Sequence, residues 1–249
     1  MKQTRSLMGM HITIEVVDRN VKQKDLDTVY KYFTYIDEKF STYKKTSEVS
    51  LINLGKIQKR EYSPDMKKIL ALCEQTKKET NGYFNIVHDG KMDPSGIVKG
   101  WAIWQAAKLL EKNGFQNFYV DAGGDVQVKG KNKEGKPWTV GIRNPFKSSE
   151  IVKIISLDNK GIATSGTSMR GQHIYNPHKP HAKISDVISL SVIGPNVYEA
   201  DRFATAAFAM GSNGIQFIEG IPALDGYMID KNGIATYTSG FEKYVLGST

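Results

Sequence analysis

The sequence predicts an α+β protein in which mainly antiparallel sheets pack against helices. Three observations carry that prediction. Leu26, Val29, Tyr30, Phe33, Ile36 and Phe40 recur with the period of a helix, whereas residues 11–17 alternate apolar and polar with a period of two. The strand-like runs follow one another rather than alternating strictly with helices, which favours antiparallel pairing over a doubly wound parallel sheet. Turn signals separate the runs, among them Lys231-Asn232-Gly233, whose Asn-Gly pair marks a hairpin.

In chain order, residues 11–17 read as a strand, and the helix through Phe40 runs into a polar turn over 41–48. Ser63-Pro64 starts a second helix, with a capping hydroxyl and a proline in the first turn; it stops near Asn81-Gly82. A third helix spans 97–112 and ends at Asn113-Gly114. Residues 118–120 and 126–128 are strands joined across Gly123-Gly124, and a charged turn over 131–136 leads to strands at 138–142, 151–157 and 187–193. A helix over 198–210, a short helix around Ile215 and the closing hairpin complete the pattern. The stretch 165–185 has no periodicity and holds three of the five histidines. An irregular run of that length in a compact protein usually serves function. Repeats, low-complexity tracts and Pro/Ser linkers are absent from the sequence, so residues 1–249 are expected to form a single domain.

Composition narrows the chemistry. A single cysteine, Cys73, excludes an intrachain disulfide and a cysteine-based zinc site. Its place among Ile69, Leu70 and Leu72 predicts a buried, inert thiol. The net charge of +8 is spread over lysine pairs that read as solvated faces and also favour an anionic ligand. Basic residues do not interleave with aromatics in a stripe, so no nucleic-acid partner is expected. Residues 1–10 carry no signal-peptide core, and no later run is apolar enough for a membrane span. As written, the chain is expected in the cytoplasm; the mature form of an exported protein fits equally well.

The most informative segment is 199–210. Asp201 and Thr205 lie four residues apart in a small, apolar, helix-favouring run, so a carboxylate and a hydroxyl share one helical face. Mg²⁺ prefers such hard oxygens and usually takes few of them from the protein, leaving its other positions to water and phosphate. The alternative is that Asp201 caps the helix and Thr205 bonds back to a carbonyl one turn earlier. In Asp93-Pro94-Ser95-Gly96-Ile97-Val98-Lys99-Gly100-Trp101 a loop meets a helix start, where anions are favoured. Asp93 suits a ligand N–H there and Lys99 a phosphate; a capped helix with an exposed lysine is the alternative. Asp121-Ala122-Gly123-Gly124-Asp125 lets backbone approach a ligand closely, but it lacks the spacing of a dinucleotide-binding turn. Ala163-Thr164-Ser165-Gly166 offers hydroxyls and backbone donors. In His173-Ile174-Tyr175-Asn176-Pro177 a loop histidine is available as a general base, with a surface role as the alternative. His178 and His181 lack the further ligands of a metal centre.

Met8-Gly9-Met10, Ser41-Thr42-Tyr43, Ser47-Glu48-Val49-Ser50, Gly82-Tyr83-Phe84-Asn85, the 93–100 segment, Gly123-Gly124-Asp125, the 163–166 segment, the 173–177 segment and Ala200-Asp201 through Thr205 occur in this order. Together they resemble the FAD:protein FMN transferase (ApbE) family from about Met8 to the C-terminus. The resemblance implies an ApbE-like, T-fold-related architecture. It also implies an Mg²⁺-dependent reaction that splits FAD, moves FMN onto a threonine hydroxyl of a target flavoprotein as a phosphoester, and releases AMP. Hydrolysis of FAD to FMN and AMP, and flavin binding without catalysis, are the alternatives. By the same resemblance Asp201, Thr205 and the carbonyl of Gly96 hold the metal. Met8, Tyr43, Tyr83, Phe84, Asn85, Asp93, Lys99 and Tyr175 meet the flavin and its pyrophosphate, and His173 is the base. The chain departs from the family pattern at Met10, where Thr is usual, at Asn85 and Asn176, where Asp is usual, and at Ala204, where some members carry a second aspartate. The last departure points to one metal rather than two.

Overall fold

The computed structural model describes residues 1–167 and 174–247. Its elements are β1 (Lys2–Leu7), β2 (Met10–Val16), α1 (Gln23–Phe40), α2 (Glu48–Asn53), α3 (Pro64–Glu79), β3 (Val87–His88), β4 (Lys91–Met92), α4 (Ser95–Lys112), β5 (Phe118–Ala122), β6 (Asp125–Lys129), β7 (Trp138–Arg143), β8 (Ile151–Leu157), β9 (Gly161–Gly166), β10 (Val187–Gly194), α5 (Val197–Ala209), α6 (Gly214–Glu219), β11 (Asp225–Asp230) and β12 (Ala235–Tyr237), with short 3₁₀ turns between some of them.

Eight strands form one sheet in the order β1-β2-β5-β6-β9-β10-β11-β12, and every pairing is antiparallel. The hairpins β3-β4 and β7-β8 stand apart from it. Helices cover one face: Phe33, Ile36, Ile97, Ile103, Leu110 and Phe208 join Ile12, Ile14, Val120, Leu190 and Val192 in the larger core. On the opposite face, Val126, Val128, Ile162, Ile193 and Tyr227 pack against Trp138, Val140, Ile155 and Leu157 of the β7-β8 hairpin and against Phe241. Burial on both faces explains why β10 reads as a nearly continuous apolar run, whereas β2 alternates.

Local chemistry accounts for the helix ends. Ser63 Oγ accepts the N–H of Met66 at 3.1 Å ahead of Pro64, so α3 starts as its sequence predicts. Ser47 caps α2 by accepting the N–H of Ser50 (3.1 Å), and Glu48 accepts from both the N–H and the hydroxyl of Ser63. The cap of α5 is Asn196, which accepts the N–H of Glu199 at 2.9 Å. Asp201 is therefore an interior residue of α5, and the alternative of an Asp201 cap fails. Four strands and one helix escape the sequence reading. β1 is amphipathic and mostly polar, β3 and β4 have two residues each, and α2 has only six. The Ala163-Thr164-Ser165-Gly166 cluster is itself the end of β9, where small residues paired with β10 carry little period-two signal.

The closest helix pairing sets the architecture around the cavity described below. Gly96 and Gly100 put two glycines on one face of α4. A Cβ at Gly100 would lie 2.5 Å from Asp201 Cβ and 2.8 Å from the carbonyl oxygen of Val197; one at Gly96 would lie 3.1 Å from Thr205 Cγ2. At Gly100 only hydrogen lets α4 and α5 approach so nearly, and at Gly96 a methyl would press on Thr205.

Two predictions follow from this packing. Gly100→Ala should destabilise the fold by about 1–3 kcal/mol, the usual range for overpacking, read as a lower urea midpoint with an unchanged slope. Burial pushes the Cys73 thiol up to about 12, so a thiol reagent at neutral pH should label it only after denaturation.

Candidate active site

Between the helices, the β3-β4 hairpin and the β7-β8 hairpin lies a cavity of about 1280 Å³. Its floor is the start of α4 with one turn of α5. Asp201 is 3 % exposed, and its Oδ2 accepts the N–H of Gly100 at 2.7 Å. In a regular helix that N–H is directed at the carbonyl of Gly96. The carboxylate thus competes with this carbonyl for one donor, and the carbonyl is reached from outside the helix by the Thr205 hydroxyl at 3.4 Å. One carboxylate, one hydroxyl and one carbonyl gather where α4 and α5 touch. Thr205 does not bond back within its own helix; its recorded partner is across the interface. On the next face of α5, buried Arg202 binds Glu79 and so ties α5 to α3, and it also pairs within its own helix with Glu199 at 2.6 Å.

Lys99 Nζ lies 2.6 Å from Asp125 Oδ2 and 3.8 Å from Asp201 Oδ1. Asp125 is 1 % exposed, and its other oxygen accepts the N–H of Thr164 at 3.0 Å. Lys99 is thus not the exposed lysine of the alternative reading; its ammonium is held between β6 and α5. Asp93 accepts the N–H of Ser95 at 2.9 Å, orienting the first turn of α4.

The side walls hold most of the other expected residues. Thr80 Oγ1 accepts the N–H of Phe84 at 3.0 Å and so shapes the Tyr83-Phe84-Asn85 turn. Phe84 is buried with its ring beneath Gly96, while Tyr83 packs edge-on against His178. Tyr175 donates to the carbonyl of Val87 at 2.8 Å, and its ring lies 4.0 Å from that of His88. Tyr83, Phe84, Asn85, Asp93, Gly96, Lys99, Tyr175, Asp201 and Thr205 all line the one cavity. Met8 and Tyr43 do not. Met8 sits at φ 54° in the two-residue turn between β1 and β2, packed on the core, and Gly9 and Met10 line the cavity instead. Tyr43 is 93 % exposed, and its neighbour Thr42 takes the place at the wall. His173 lies outside the described residues.

Three of the departures from the family pattern sit in defined local settings. Asn85 accepts the N–H of Val87 and Asn176 accepts the N–H of His178, so both close turns. Ala204 is fully buried, away from solvent and from the cavity lining.

The sequence reading missed several contributors. Asp125 was visible only as the end of a glycine turn, with nothing to pair it with Lys99. Arg143, Asn144 and Pro145 form the far wall because β7-β8 folds over the sheet; Asn-Pro gives a turn signal there, but not its direction. Gly100 was legible in retrospect, since two glycines four apart in a helix mark a close approach.

Asp121 faces the cavity from β5. Burial pushes its carboxyl above the ordinary carboxylate range, although the Gly124 N–H (2.9 Å) and the Tyr119 hydroxyl (3.3 Å) favour the ionised form. A raised folded-state pKa stabilises the fold below the unfolded value and loses that contribution as pH rises through the folded one. Asp121→Asn retains an acceptor for Gly124. Its stability relative to wild type should therefore rise as pH increases from about 4 through the raised pKa and then level off, as read from urea midpoints across a pH series.

Comparison with known proteins identifies the family. The model of the ApbE family matches residues 8–90 and 87–228. The FAD:protein FMN transferase of Haemophilus influenzae is 32 % identical over 156 residues, covering 59 % of this chain and 42 % of that protein. Its Escherichia coli K12 counterpart is 29 % identical over 151 residues, covering 57 % and 43 %. The matched part of the chain thus spans less than half the length of these curated relatives. Among solved structures, the ApbE protein of Thermotoga maritima superposes with a TM-score of 0.87 at 20 % identity, and the flavin transferase ApbE of Vibrio cholerae with 0.84 at 21 %; each comparison covers 98 % of both chains. At that identity the likeness speaks for the fold. With the family model matched along most of its length, the chain belongs to the ApbE family.

Proposed function

We propose that this protein is an Mg²⁺-dependent FAD:protein FMN transferase that esterifies a threonine hydroxyl of a target flavoprotein and releases AMP. The observation that carries this reading is the gathering of the Gly96 carbonyl, Asp201 and Thr205 at the floor of a cavity large enough for a dinucleotide. The activity is that named for the curated relatives; the metal and the threonine acceptor rest on the resemblance and on the chemistry of the donors.

The donor set suits Mg²⁺, since all three groups are hard oxygens and one is anionic. Gly96, Asp201 and Thr205 would hold the ion. When bound, Mg²⁺ supplies positive charge to the pyrophosphate oxygens and eases departure of AMP. The rest of the work is positioning, as phosphoryl transfer demands. Lys99 offers an ammonium to phosphate from the α4 face. Tyr83, Tyr175 and His88 form an aromatic side wall for a planar ring, and the Tyr175 hydroxyl is tied to the β3 backbone. In the transfer, the acceptor oxygen bonds to the phosphorus of the FMN half and the bond from that phosphorus to the AMP oxygen breaks. AMP leaves with the electron pair, and the hydroxyl proton passes to a base. The resemblance gives that role to His173.

Incubation with FAD, Mg²⁺ and a flavoprotein presenting an exposed threonine should add one FMN phosphoester to the target and release AMP in equal amount. Asp201→Ala should nearly abolish AMP release, and wild-type turnover of that variant at limiting Mg²⁺ would overturn the metal assignment. Loss of the base in His173→Ala should cost about 10²–10⁴-fold in kcat, a smaller effect than loss of the Asp201 carboxylate.

A further inference from the structure

We infer that Asp125, which does not line the cavity, is a positioning residue: it holds the Lys99 ammonium off Asp201 and so keeps the Asp201 carboxylate competent for a divalent cation. The inference rests on the cation site described above and deepens it.

The geometry is that of one ammonium between two buried carboxylates. Lys99 Nζ is 2.6 Å from Asp125 and 3.8 Å from Asp201, so the nearer carboxylate takes the larger share of its charge. Asp125 is itself fixed. It stands at the start of β6, 1 % exposed, with its second oxygen on the N–H of Thr164 in the neighbouring strand β9. The sheet therefore sets where the ammonium rests. Asp201 is fixed as well, through the N–H of Gly100. The one long, rotatable member of the trio is Lys99, which springs from α4 on the residue preceding Gly100.

Neutralising Asp125 removes the nearer anion, and the buried Asp201 carboxylate, 3.8 Å from the ammonium, then draws it more strongly. An ammonium drawn onto Asp201 competes with any cation for the same oxygens. Groups that orient a metal ligand from behind commonly change metal affinity by about 10–100-fold when altered. Here the sign is specific, because the loss is caused by Lys99 and not by a gap in packing. Removing Lys99 as well should restore binding.

The test is Mn²⁺ binding to the full chain without flavin, followed through the free-ion electron paramagnetic resonance signal, with Asp201→Ala defining the site. Asp125→Asn is expected to weaken Asp201-dependent binding by about 10–100-fold, and Asp125→Asn/Lys99→Met to recover most of it. Thermal unfolding in EDTA separates a folding defect from a binding defect. If Asp125→Asn folds poorly, Lys99→Met alone carries the same expectation: binding at least as tight as wild type. Wild-type affinity in Asp125→Asn, equal loss in the double variant, or weakened binding in Lys99→Met overturns the positioning role while leaving the cation site standing. Absence of Asp201-dependent binding in the wild-type chain overturns the cation site and this inference together.

Discussion

The contact between α4 and α5 is the constraint on which the rest of the site depends. Gly96 and Gly100 strip one face of α4 down to backbone, and a carboxylate from α5 reaches the Gly100 N–H at 2.7 Å. A side chain inserted there meets a helical donor that would otherwise belong to the carbonyl one turn earlier. The same approach brings Thr205 against that carbonyl. Three oxygens of different chemical type meet because two glycines permit it, and Arg202, paired with Glu79 of α3, ties α5 in place.

Charge is distributed in a way the overall composition conceals. The chain carries a net +8, yet the cavity is lined by Asp93, Asp121 and Asp201, with Asp125 buried behind it; Lys91, Lys99 and Arg143 are set among them. A pyrophosphate entering this cavity would meet carboxylates at short range, where the dielectric is low and repulsion strong. The divalent cation of the proposed reaction would relieve that conflict. Burial raises the Asp121 carboxyl, and the charge of Asp125 nearby pushes it the same way to a smaller extent. The scattered lysine pairs, by contrast, influence the approach of an anion rather than its seat.

The loops around the cavity are held by many small, local bonds. Thr80 on the Phe84 N–H, Asn85 on the Val87 N–H, Tyr175 on the Val87 carbonyl and Asn176 on the His178 N–H fix the segments that would face a flavin. Asparagine at two of these positions performs turn chemistry that needs an acceptor and no charge.

Much of this was legible in the chain itself. Helical period placed α1 within a few residues, Ser63-Pro64 placed the start of α3, and Asn-Gly pairs placed the ends of α3 and α4; α5 was legible from its run of small, helix-favouring residues although it is buried nearly all round. The spacing of Asp201 and Thr205 put two oxygens on one helical face, and the order of short motifs pointed to the family. What escaped was whatever depended on partners distant in sequence. The strand β1 takes its place from pairing with β2, and the small-residue strand β9 from lying between β6 and β10. The pairing of Lys99 with Asp125 joins a helix to a strand that is adjacent only in the folded chain. Local sequence sets backbone period and the chemistry of each side chain, since both act within a turn or two. Which carboxylate an ammonium meets, and which carbonyl a hydroxyl can touch, is decided by how closely two elements pack, and that distance exists only in the tertiary structure.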